Sequence, residues 1–265
     1  MSYELRCGNC AELMLDMPDK CIDLTVTSPP YDNLRTYKGY TFDFKPIADQ
    51  LFRITKQGGV VVWIVNDATI KGSETGTSFR QALYFKDIGF NLHDTMIWCK
   101  SGGGAIGSNY CYIQNFEYMF VFSKGKPKAV NLIYDLPNGS VGSKRNTGRR
   151  KANGEMKIEH REVKNQFCRR NNWWYLVHNS DVRKTGGHPA VFPEQLARDH
   201  IISWSNEGDT IFDPMCGSGT TGAMAIQTGR NFIGFDISQD YIEIAKKRIE
   251  GEIENGKTTE VCEGH

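Results

Sequence analysis

The sequence predicts an α/β domain built on a mostly parallel sheet, with a basic segment inserted between its two halves. Three observations lead there. Two stretches, near either end of the chain, alternate short apolar strand candidates with helix candidates, as strands buried on both faces and joined by helices do. Each is a β-α-β-α run, and parallel neighbours need such crossover connections. The third observation is charge: the 265 residues sum to +1, yet Lys124 to Lys184 holds 15 Lys and Arg against 5 Asp and Glu, a local +10.

In the first half, residues 1–100, Ile22 to Val26 is a short strand running into Thr27-Ser28-Pro29-Pro30-Tyr31. The two prolines end it, because neither can donate to a sheet ladder. A helix is predicted from Pro46 to Lys56, stopped by Gly58-Gly59, and Val60 to Val65 then reads as a fully buried strand with Asp67 just beyond it. Phe79 to Ile88 and Asp94 to Cys99 form a further helix and strand. Residues 101–187 are rich in Gly, Asn, Lys and Arg, and their apolar periodicity is weak outside Phe116 to Phe122 and Trp173 to Val177. They are expected to form a lobe outside the main sheet.

The second half, residues 188–254, opens on His188-Pro189-Ala190-Val191-Phe192-Pro193-Glu194, where Pro193 suits the first turn of a helix reaching about Trp204. The strand Thr210 to Asp213 follows, then a glycine-rich turn, a helix through Thr228, the strand Asn231 to Phe235 and a helix from Asp240 to Ile253. Residues 255–265 are expected to be a flexible tail.

Composition narrows the class. The longest apolar run, Gly59 to Val65, is far too short to span a bilayer. Met1 to Cys10 carries Glu4 and Arg6 with no apolar stretch behind them, unlike an export signal. A cytoplasmic chain with reduced thiols is therefore expected, and Cys21, Cys99, Cys111 and Cys168 read as small apolar fillers. Cys7-Gly8-Asn9-Cys10 has the spacing of half a zinc knuckle or a redox pair, but no second half follows, so no metal is expected.

Two strings carry chemistry. The segment Asp213-Pro214-Met215-Cys216-Gly217-Ser218-Gly219-Thr220-Thr221 sets glycines at a strand-to-helix turn, where backbone can approach a ligand closely. It is neither the dinucleotide fingerprint nor a phosphate loop. Asp236 follows at the carboxyl end of the next strand, where an acidic residue reaches ribose hydroxyls; capping of the next helix is its simpler role. Thr27 to Tyr31 suits transfer to an aromatic amine. Ser28 and the Pro29 carbonyl offer two acceptors that can turn the amino group, the Pro29-Pro30 pair fixes them, and Tyr31 offers a flat face for an extruded base. Taken alone, the string is a strand stop with a buried tyrosine behind it.

Together these strings resemble the catalytic and cofactor motifs of the class β DNA amino-methyltransferases, in that class's circularly permuted order. His188 to Glu194 is similar to the motif placed before the glycine loop, and Ile97-Trp98-Cys99-Lys100 to a Trp-x-Lys strand end whose aromatic walls the base pocket. The resemblance implies a Rossmann-like S-adenosylmethionine-dependent methyltransferase fold with seven mostly parallel strands and ligands at their carboxyl ends. It implies S-adenosylmethionine held by Asp213, Pro214, Cys216, Gly217, Ser218, Gly219, Thr220, Thr221 and Asp236, with Pro189 and Phe192, and catalysis by Ser28, Pro29, Pro30 and Tyr31. Many adenine enzymes of the group have Asp where this chain has Ser28, which directs the expectation to N4 of cytosine, with N6 of adenine as the alternative.

The basic insertion is then the target-recognition region. Lys144, Arg145, Arg149, Arg150, Lys151, Arg169 and Arg170 are spaced to meet phosphates of double-stranded DNA, with Arg35 and Lys38 in a loop beside the catalytic string. A cognate restriction endonuclease and a homodimer are left open; a membrane is not expected. From another class, a nucleic-acid-binding protein with an inactive cofactor fold would share the architecture, and intact Ser28, Tyr31 and Asp236 argue against it.

Overall fold

Short runs of Ile, Val and Thr form the centre of the fold because branched side chains suit a pleated surface covered on both sides. The structure, a computed structural model, describes residues 1–30, 42–100, 112–150, 153–176 and 192–262, with the backbone alone at 145–147, 149–150, 157–161 and 255–262. In chain order the elements are β1 (Tyr3–Cys7), α1 (Cys10–Leu15), β2 (Ile22–Thr27), α2 (Phe44–Ile54), β3 (Thr55–Val65), β4 (Thr69–Ile70), β5 (Ser73–Glu74), α3 (Thr77–Asp87), β6 (Asn91–Lys100) and β7 (Phe116–Ser123). There follow β8 (Tyr134–Pro137), β9 (Lys144–Arg150), β10 (Met156–Glu162), β11 (Phe167–Arg169), β12 (Trp173–Leu176), α4 (Glu194–Trp204), β13 (Thr210–Asp213), α5 (Thr220–Gln227), β14 (Asn231–Asp236) and α6 (Gln239–Cys262). They divide into two units, Met1–Asn131 with Asn172–His265, and Leu132–Asn171.

The first unit holds a sheet of eight strands in the order β1-β14-β13-β2-β3-β7-β6-β12. Only β7 runs antiparallel to its neighbours β3 and β6. The parallel α/β architecture is as expected, with eight strands in place of seven. Helices α1 to α3 cover one face and α4 to α6 the other. Under α2 and α3, Trp63 and Phe85 meet edge to face at 5.2 Å, and the Trp63 indole N–H donates to Gln81 Oε1 at 2.8 Å. That bond satisfies the ring's polar atom, so a fully buried tryptophan carries no unpaired donor.

Several boundaries differ from expectation for identifiable reasons. Residues 101–187 are not all an insertion: β7 pairs with β3 and β6, and β12 lies parallel to β6 at the sheet edge. The two stretches with apolar rhythm are the ones the sheet takes in. Gly58 and Gly59 lie inside β3 instead of ending α2, whose backbone turns extended at Thr55. A Cβ on Gly59 would stand 2.7 Å from Thr55 Cγ2 and 2.9 Å from the Asp23 carbonyl, so glycine is required by the close approach of β2. Helix α6 continues to Cys262, past the expected end at Ile253, because extending an existing helix is easier than nucleating one. Among the described residues, no helix is long and apolar enough to cross a membrane.

The second unit is an antiparallel ribbon. Strand β8 pairs with β11 and β9 with β10, and Gly142, Ser143 and Val163 continue the ladder between the two pairs.

Candidate active site

The sheet order itself creates the crevice. Strand β13 is followed by α5 and then β14 on one side, whereas β2 is followed by α2 and then β3 on the other. The connections diverge from two adjacent parallel strands, and at such a switch point a gap opens beyond the carboxyl ends. The chain places Asp213 at one strand end and Thr27, followed by Ser28, at the other, with Phe212 paired to Thr25 in the ladder. Strings far apart in sequence thus meet at one place.

On the β13 side, residues 214–219 form a tight turn into α5. Gly217 and Gly219 have positive φ, +50° and +78°, a conformation that costs other residues about 1 kcal/mol or more. A Cβ on Gly219 would lie 2.8 Å from the Ala245 backbone of α6. Gly219→Ala is therefore expected to cost about 2–4 kcal/mol, strain added to overpacking. Thermal unfolding of the variant would show it as a clearly lowered Tm, and an unchanged Tm would contradict this packing.

Asp236 stands at the end of β14, half-buried beside that turn. Its Oδ2 accepts the Gly217 N–H at 2.9 Å and its Oδ1 accepts the Ser238 N–H at 2.9 Å. It thereby braces the glycine turn and opens the turn into α6, which is close to the simpler of the two roles expected of it. The combination of an acidic strand end, positive-φ glycines and the N-terminus of the eight-residue α5 suits a ligand with hydroxyls at one end and a carboxylate at the other. Phe192 is half-buried just before α4, which Pro193 caps; Pro189 lies outside the described residues.

No sequence pattern singles out Arg248 of α6. Its Nη1 donates to Thr220 Oγ1 at 2.9 Å and its Nη2 to Glu194 Oε1 at 2.7 Å, tying α5 to the start of α4. A lone Arg on an amphipathic helix reads as a solvated charge, and only the packing of α6 against α5 brings it to the loop. Cys216 is buried and its thiol is raised well above its ordinary value by burial, which fits a small-residue role at the turn. Burial likewise pushes the Cys10 thiol up to about 12, against a redox role for the Cys7–Cys10 pair.

On the β2 side, Pro29 is buried and Ser28 and Pro30 are half-buried directly after Thr27. Tyr31, Arg35 and Lys38 lie outside the described residues. Trp98, expected to wall the base pocket, lies inside the sheet. It is 3% exposed, its indole N–H donates to the Leu176 carbonyl at 3.3 Å, and Lys100 Nζ lies 5.0 Å from its ring while pairing with Glu117. Its ring is an internal strut between β6 and β12. Of the aromatics after the basic segment, Trp174 is buried, while Trp173 and Tyr175 are exposed.

Within the ribbon, Lys144 and Arg169 are exposed. Arg170 is half-buried and pairs through Nε and Nη2 with Asp135, and that guanidinium holds the Asp135 carboxyl below its ordinary range. Lys151 lies outside the described residues, and Arg145 and Arg149 are described by strand register alone, opposite Arg161 and Lys157, with Arg150 opposite Met156.

A switch-point crevice with a glycine turn and acidic strand end on one side, and the Ser28-Pro29-Pro30 string on the other, is the arrangement of a Rossmann-like α/β fold. The chain belongs to the N6/N4 DNA methylase family, whose model, described as DNA methylase, matches residues 22–247. It is 52% identical over 242 residues to the orphan methyltransferase M.BamHII of Bacillus amyloliquefaciens, covering 89% of this chain and 91% of that one. It is 26% identical over 246 residues to the DNA adenine methyltransferase YhdJ of Escherichia coli strain K12, covering 92% and 81%. In fold it is similar to the cytosine-N4-specific PvuII DNA methyltransferase, with a TM-score of 0.68 at 21% identity, covering 94% and 86%.

Proposed function

We propose that this DNA methyltransferase transfers the methyl group of S-adenosylmethionine to N4 of cytosine in duplex DNA, on a base turned out of the helix. S-adenosylmethionine supplies an electrophilic methyl carbon on its sulfonium. Asp236 would hold the ribose hydroxyls, and the turn from Asp213 to Thr221 with Phe192 the rest of the molecule. Across the crevice, Ser28 and the Pro29 carbonyl accept hydrogen bonds from the exocyclic amino group. That turns its lone pair out of conjugation and toward the methyl, and Tyr31 stacks on the extruded ring. The proton released is that of an amine made acidic by methylation, so no strong base is needed.

The single observation that supports cytosine is Ser28, a neutral hydroxyl where many adenine enzymes of the group carry a carboxylate. Mass spectrometry of nucleosides from DNA treated with the protein tests it. N4-methylcytosine is the expected product; N6-methyladenine alone would reassign the base and leave the methyltransferase intact.

DNA is held in this reading by the basic ribbon. Converting Arg149, Arg150 and Lys151 together to Gln should reduce the slope of log affinity against log salt by up to about three units, one for each phosphate left without its cation. Binding titrations over a range of salt measure it, and an identical slope would place the DNA elsewhere.

A further inference from the structure

Beyond the ladder between β13 and β2, the two sides of the crevice are linked through the Asp213 carboxylate, which the chemistry above uses only as the start of the cofactor turn. Asp213 is 1% exposed, and Thr27 and Thr221 are both 0%. Thr27 Oγ1 donates to Asp213 Oδ1 at 2.7 Å, and Thr221 Oγ1 donates to Oδ2 at 2.8 Å. The Met215 N–H donates to Oδ1 at 3.1 Å, and Thr221 Oγ1 also lies 3.3 Å from the Val26 carbonyl. One side chain thus accepts from the last residue of β2, from the glycine turn and from the first turn of α5.

A buried carboxylate is costly unless its lone pairs are used, and here they are used to connect three segments. Thr27 is covalently next to Ser28. A shift at Thr27 therefore moves the Ser28 hydroxyl and the Pro29 carbonyl together, and misplacement by a fraction of an ångström matters for groups that act by orientation.

We propose that Asp213 is a positioning residue for methyl transfer, locking the strand end that bears Ser28 to the cofactor turn through the hydroxyls of Thr27 and Thr221. The proposal rests on the assignment of Ser28 to Pro30 as the acceptor string.

The clasp has a pH limit. Burial pushes the Asp213 carboxyl up to about 6, opposed by the bonds from Thr27, Thr221 and Met215, with the negative charge of Asp236 raising it further. Among the described residues, the other titratable groups facing it are the thiols of Cys10 and Cys216, both raised by burial, so they stay neutral through this range. Ionised, Asp213 offers acceptors to three donors. Protonated, one of its oxygens becomes a donor aimed at a hydroxyl that already donates, and the clasp must rearrange. Transfer should therefore fall as pH drops through about 6.

Thr27→Val keeps the shape and removes the hydroxyl. Near neutral pH its kcat should fall about tenfold, the loss expected for one hydrogen bond to a charged group, while the Kd for S-adenosylmethionine stays the same. With one donor gone, the acid limb of kcat should move to higher pH, and Thr27→Ser should restore both kcat and the limb. A merely structural threonine would lower Tm and leave the acid limb in place, which would overturn the proposal. If Thr27→Val does not fold, Asp213→Asn serves: the acid limb should vanish and kcat be low at every pH, and a persisting limb would overturn it equally. Ser28→Ala in the same assay separates the two readings. Full transfer there removes the assignment on which the proposal stands, whereas an impaired Ser28→Ala beside an unimpaired Thr27→Val removes the clasp alone.

Discussion

Ser28→Ala is expected to lower methyl transfer to duplex DNA by roughly ten- to thousandfold while leaving the fold and cofactor binding intact. The change removes one oxygen from a half-buried side chain, so it opens little space and breaks no part of the sheet. What it removes is an acceptor whose worth is greatest as the amino group leaves conjugation and develops charge, and such interactions affect kcat more than binding. The range is wide because the Pro29 carbonyl remains as a second acceptor. Labelled-methyl transfer and calorimetry with S-adenosylmethionine, run on the same preparation, check it; full activity in the variant would overturn the mechanism.

Asp236→Ala is expected to weaken S-adenosylmethionine binding by about 1–3 kcal/mol, or roughly five- to more than a hundredfold in Kd. Two losses add. Under the proposed assignment the ribose hydroxyls would lose a charged acceptor, and the Gly217 N–H loses the carboxylate that braces the positive-φ turn. Asp236→Asn keeps one carbonyl oxygen for the turn and should fall between the two. The same substitutions remove a negative charge that raises the Asp213 carboxyl, so the acid limb of transfer should shift to lower pH. Unchanged calorimetric affinity in folded Asp236→Ala would remove the ribose assignment.

Legibility in the sequence tracks the range of the interaction concerned. Strands β2, β13 and β14 and helices α3 to α5 lie within a few residues of their predicted bounds, since apolar period, proline and glycine are local signals. Strand β1 escapes such signals. Its Tyr3 pairs with Phe232 of β14 at the far end of the chain, and an alternation of Glu4, Leu5 and Arg6 on a sheet edge has too little apolar content to stand out. Strand β12 shows as apolar rhythm but not as part of the sheet, because nothing near Trp173 records that its partner is Ile97. For Trp98 and Arg170 the sequence offers residue type alone, and residue type does not say whether a tryptophan's face or an arginine's charge is already committed to a neighbour.

By itself, the sequence determined the layered α/β class, the strand stop at Ser28 to Pro30, the glycine turn, the acidic strand end at Asp236, and the concentration of positive charge between the halves. These depend on backbone constraints and on chemistry that neighbouring residues impose on one another. Only the tertiary structure decided that β13 and β2 are adjacent, so that the glycine turn and the Ser28–Pro30 string lie at neighbouring strand ends, and that Asp213 takes hydrogen bonds from both sides. It also decided that Arg248 reaches the turn from α6 and that Trp98 is a strut. The physical reason is the same throughout: local pattern fixes which backbone shape a segment prefers, while the choice of partner depends on long-range packing that buries polar groups only where a complementary group arrives from elsewhere in the chain.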